Sequence, residues 1–203
     1  MVCERTMPLY HHVNEIQTRS SFVDIPGQAN PIEVSGFLPV ERVLSIGIAA
    51  IEALKVWHDA GFILGSVSLA SFAVDDISNL SNFRLVDFSN AHLADATRGA
   101  ALTSAKANDL YDLFVMIRML LLPLIPLGIN WNAFPGGIDP VYSVPGLSIE
   151  ERSKLNDLLK EIFIQPTLLR DLDRYPDDSV YAELLYLLDR AREIIAPFPY
   201  TLK

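Results

Sequence analysis

Residues 57–74 read Trp57-His58-Asp59-Ala60-Gly61-Phe62-Ile63-Leu64-Gly65-Ser66-Val67-Ser68-Leu69-Ala70-Ser71-Phe72-Ala73-Val74. The stretch begins where one periodicity ends and another takes over. Upstream, Val40, Val43, Leu44, Ile46, Ile48, Ile51, Leu54 and Trp57 follow Pro39 with helical spacing, and Gly61 marks the stop. Apolar residues cover too much of that helix for a surface element, which predicts a central position. Downstream the runs shorten. Phe62-Ile63-Leu64, Ser71-Phe72-Ala73-Val74 and Phe83-Arg84-Leu85-Val86-Asp87-Phe88 are separated by polar turns such as Asp75-Asp76 and Ser78-Asn79, and they predict small strands.

Working outward, residues 1–36 carry no sustained period and are punctuated by Pro8, Pro26, Gly27, Pro31 and Gly36, which predicts an extended lead-in. The Ala-, Thr- and Ser-rich segment from Asn90 to Lys106 reads as a long loop, followed by a helix from Ala107 to about Leu122. Pro123 to Gly146 reads as loop. Ser148, with Glu151 three residues later, has the pattern of a capping box opening a helix that ends before Pro166. A last helix begins near Asp177-Asp178 and points Val180, Leu184, Leu185, Leu187, Leu188 and Ile194 at the core, with Arg190 and Arg192 complementing its negative end. The fold class expected is mainly α with a few short β-strands, organised as a lead-in over 1–37 and a helical lobe over 38–203.

Composition narrows the function classes. The 203 residues carry a net charge of −9, and half are hydrophobic. That is enough for a sizeable core and leaves no basic footprint for a nucleic acid. Cys3 is the single cysteine, so an internal disulfide framework and a thiolate zinc site are excluded, which suits a reducing, intracellular and cytoplasmic setting. Met1 to Leu9 lacks the apolar core of a secretory signal. The most apolar segment, Met119 to Ile129, contains Pro123 and Pro126 and spans about 11 residues, short of the roughly 20 that a membrane helix needs. No membrane association is expected.

The order of the long helix, "WHDAG", "FILGSVSLASFAV", "FRLVDFSNAHL", a loop and "NDLYDLFVMI" resembles the C-terminal lobe of the protein-kinase-like superfamily, with casein-kinase-like and fungal protein-kinase-like chains the nearest in pattern. The likeness covers residues 38–122. In that family a helix ending in a Leu-His pair, here Trp57-His58, precedes a catalytic loop of the form His-Arg-Asp-x-Lys-x-x-Asn, and a strand carrying Asp-Phe-Gly follows. Leu64 to Ser71 occupies the catalytic-loop frame and Asp87-Phe88-Ser89 the metal-binding frame. Asp109 opens the helix whose aspartate, the resemblance implies, braces the catalytic loop from below. Before residue 38 there is no Gly-x-Gly-x-x-Gly loop and no Val-Ala-Ile-Lys strand, so the small lobe is missing and residues 1–13 correspond at most to a hinge.

Phosphoryl transfer by such a lobe needs a carboxylate on the acceptor hydroxyl, a cation at the transferred phosphate and two ligands for magnesium. The matching positions hold Ser66, Ser68, Ser71 and Asp87. A serine lacks the basicity of the carboxylate and the charge of the lysine, and it offers one hydroxyl in place of an amide carbonyl. Asp87 alone keeps a metal- and nucleotide-binding role in principle, and its other reading is an aspartate that ties down backbone amides in a turn. His58 reads as a structural residue at a helix end, and Asp109 as a structural carboxylate.

The resemblance therefore implies a degenerate pseudokinase without enzyme activity, acting as a protein-interaction or regulatory module with a protein partner and no resident cofactor. Its alternative is a divergent phosphotransferase that takes the small lobe from a partner and uses Mg-ATP. Other constellations carry less. His11 and His12 diverge as neighbours, the serines lack a Gly-x-Ser-x-Gly turn, and Asp75-Asp76 and Asp177-Asp178 read as a turn and a helix start.

Overall fold

A computed structural model describes residues 7–17, 20–23, 32–35, 38, 40–93, 99–121, 148–151, 153–155, 157–159, 161–162 and 178–196. In chain order the elements begin with β1 (Met7–Pro8), α1 (Leu9–Gln17), β2 (Ser20–Val23), β3 (Ile32–Ser35), α2 (Val40–Asp59) and β4 (Phe62–Ile63). A single 3₁₀ turn (Leu69–Ser71) then leads to β5 (Phe72–Val74), β6 (Arg84–Leu85), β7 (His92–Leu93) and α3 (Gly99–Leu121). The helical residues 149–151, 153–155, 157–159 and 161–162, together α4, and α5 (Asp178–Ile195) complete the order.

The architecture is mainly helical with short antiparallel strands, as the helical periods predict. α2 is central and packs against both α3 and α5. Its buried residues, Val40, Val43, Leu44, Ile46, Gly47, Ala50, Ile51, Leu54 and His58, occupy more than one stripe because neighbours lie on more than one side. At Gly47 both neighbours come close: a Cβ there would stand 3.0 Å from Ile117 Cδ1 of α3 and 3.5 Å from Leu188 Cδ1 of α5. α3 answers with Leu110, Leu113, Phe114, Ile117 and Leu120, and α5 with Leu184, Leu188, Ala191 and Ile195 at three- and four-residue spacing. Leu155, Leu159 and Ile162 of α4 join the same core. Full burial of each such side chain contributes about 1.5–3 kcal/mol.

The strands are small and antiparallel. β5 is the middle of a three-stranded sheet, with Met7 opposite Val74 on one side and Phe72 opposite Leu85 on the other. β4 pairs with β7, and β2 with β3. None of the helices, among the described residues, is long and apolar enough to cross a membrane.

Three sequence expectations need correction. The lead-in is not extended throughout: Leu9 to Gln17 is helical, with Leu9 and Val13 fully buried in the common core. One turn's spacing supplies both core residues, and a helix that short leaves no sustained period to read. Second, α3 begins at Gly99 rather than Ala107. The added turns, Gly99-Ala100-Ala101-Leu102-Thr103-Ser104-Ala105, lack an apolar stripe, but alanine is the strongest helix former. Third, the run Phe83 to Phe88 is strand over Arg84–Leu85 alone, with Val86 N–H adding one further bond to the neighbouring segment. The start of α5 at Asp178 agrees with the expectation, though its core face differs: Tyr181, Ala191 and Ile195 are buried while Val180, Leu185 and Ile194 are only partly so. Arg190 and Arg192 pair with Glu193 and Asp189 on the surface. Pro39, the loop from Pro123 to Gly146 and the helix end before Pro166 lie outside the described residues.

Candidate functional site

Where α2 ends, its carbonyls need new partners, and the chain turns sharply: Ala60 N–H donates to Val56 O and Gly61 N–H to His58 O, both at 3.1 Å. The turn sends β4 back along α3. His58 in the last turn of α2, Asp109 inside α3 and Tyr181 in the first turn of α5 then converge in the interior, with 1, 1 and 2 % of their surfaces exposed. His58 Nε2 lies 3.0 Å from Asp109 Oδ2, and His58 Nδ1 is hydrogen-bonded to the Tyr181 hydroxyl. A carboxylate only accepts, so Nε2–H is the donor to Asp109, and in the neutral imidazole Nδ1 accepts the tyrosine proton. Lys106, one turn before Asp109, donates from Nζ to the His58 carbonyl at 2.7 Å. Lys55 on α2 sits 5.7 Å from the centre of the Tyr181 ring.

The same carboxylate holds the loop after β4. Leu64 N–H donates to Asp109 Oδ2 at 2.7 Å and Gly65 N–H to Oδ1 at 2.9 Å. Asp109 thus accepts from two backbone amides and an imidazole in the low-dielectric interior, where each satisfied bond counts for more than at the surface. Gly65 is required by its conformation: its φ is +74°, and a Cβ would meet Asn90 O at 3.1 Å. These contacts fix the direction of the loop, in which Ser66 and Ser68 face solvent while Val67 between them stays in the core.

The serines of that loop have defined places. Ser66 and Ser68 are exposed and Ser71 is buried. Ser68 caps the 3₁₀ turn: its Oγ accepts from Ala70 N–H at 3.2 Å, and Ser71 Oγ accepts from Ser68 N–H at 3.0 Å. The two side chains satisfy amide groups that the short turn leaves open. Ser71 also reaches the neighbouring strand through its carbonyl, which accepts from Val86 N–H at 2.9 Å, so the serine loop and the residue before Asp87 lie side by side.

Asp87 itself stands on the surface. Its Oδ1 accepts from Ser89 N–H at 3.0 Å, and the backbone and hydroxyl of Ser89 hold its carboxyl below the usual aspartate range. Next to it, the exposed ring of Phe88 lies against Trp57, ring centres 4.6 Å apart, and Trp57 meets Phe62 edge-on at 5.2 Å. Among the described residues no cluster of three or more His, Cys, Asp or Glu is placed to share a metal ion.

The structure thus brings His58 and Asp109 together, places the serine loop directly against them, and leaves Asp87 at the far side of the loop on the surface. Tyr181 and Lys106 were not singled out by the sequence. The signal for Tyr181 lay in its spacing, since it begins the series continued by Leu184, Leu188, Ala191 and Ile195, and a tyrosine on a core stripe needs a partner for its hydroxyl. The chain matches no protein-family model and none of the curated proteins.

Proposed function

We propose that this chain is a catalytically inactive kinase-like lobe, a pseudokinase, that works inside the cell as a protein-interaction or regulatory module. The observation that carries the reading is the pair of bonds from Leu64 N–H and Gly65 N–H to Asp109. They join the segment occupying the catalytic-loop frame to the helix whose aspartate the resemblance assigns to bracing it. The chemical positions point away from catalysis. Ser68 and Ser71 hold each other in a capping box, and a hydroxyl committed to a backbone amide supplies neither the base nor the cation of phosphoryl transfer.

Thermal unfolding of the full chain with and without Mg-ATP tests the reading. A ligand that binds the folded state stabilises it, by about 2.7 kcal/mol at a hundred times its dissociation constant. The expected result is a cooperative transition indifferent to millimolar Mg-ATP. A rise in melting temperature that disappears in Asp87→Asn would overturn the proposal in favour of a phosphotransferase that borrows its small lobe from a partner.

A further inference from the structure

We draw no further inference here: the strongest candidate, the apolar surface patch of Trp57, Phe62 and Phe88 where α2 runs into β4, carries none because nothing in the structure shows what covers it.

Discussion

Asp109 accepts three hydrogen bonds from two different parts of the chain, and two of the donors, His58 Nε2–H and Leu64 N–H, would be left buried without it. Asp109→Ala is therefore expected to lower stability in urea unfolding by about 1–3 kcal/mol, the cost of a buried group deprived of its partner, and more if several donors find no water. Tyr181→Phe removes only the hydroxyl and leaves His58 Nδ1 bare; a smaller loss, about 1 kcal/mol, is expected. The two losses should fall short of adding in the double variant, since both residues hold the same imidazole. At Gly65 the backbone is left-handed, and Gly65→Ala should destabilise by about 1 kcal/mol or more through strain and the close Asn90 carbonyl. Part of this was readable beforehand. His58 stands out as a histidine at the end of an apolar helix, and Asp109 through the resemblance that assigns it to bracing the loop, although it lies in the middle of α3 and not at its start. Their junction with Tyr181 was not readable, because it spans 123 positions in the chain and no local pattern encodes such a distance.

Among the elements, α2 was legible because its apolar positions persist over five turns, and α4 because Ser148 and Glu151 form the capping box that their spacing announces. α1 and the first turns of α3 were not, since one has too few core positions for a period and the other has alanines where a stripe would be. The cap offers a pH test. Ser148, through its hydroxyl and its N–H, holds the Glu151 carboxyl below its ordinary value of 4.5. A depressed carboxyl contributes stability that is fully present above the ordinary value and is lost as pH falls through the lower, folded one. The melting-temperature gap between the natural chain and Glu151→Ala should therefore be open at neutral pH and close in acid below the ordinary value. Helix packing offers another. Gly47→Val inserts a three-carbon isopropyl group where Ile117 and Leu188 already meet α2, and a loss of about 1–3 kcal/mol is expected in urea unfolding.

For the molecule as a whole, the mainly helical class followed from sequence because periodicity is a property of the core, and the core here runs through α2, α3, α4 and α5. Order along the chain told less about what joins those helices. The polar cluster does so at one point: α2 gives His58, α3 gives Lys106 and Asp109, and α5 gives Tyr181. Breaking any of these contacts exposes the others, so the three helices should separate together, in a single transition seen alike by near- and far-ultraviolet circular dichroism.

The loop after β4 inherits that behaviour. Its amides at Leu64 and Gly65 belong to no helix and no strand ladder beyond β4, and irregular segments ordinarily trade their hydrogens with solvent through small local openings. These two donate to a carboxylate that lies within the helical interior. Their deuterium uptake should keep pace with the slowest amides of α2, so that in an exchange map the most persistent signals would include two residues of a loop.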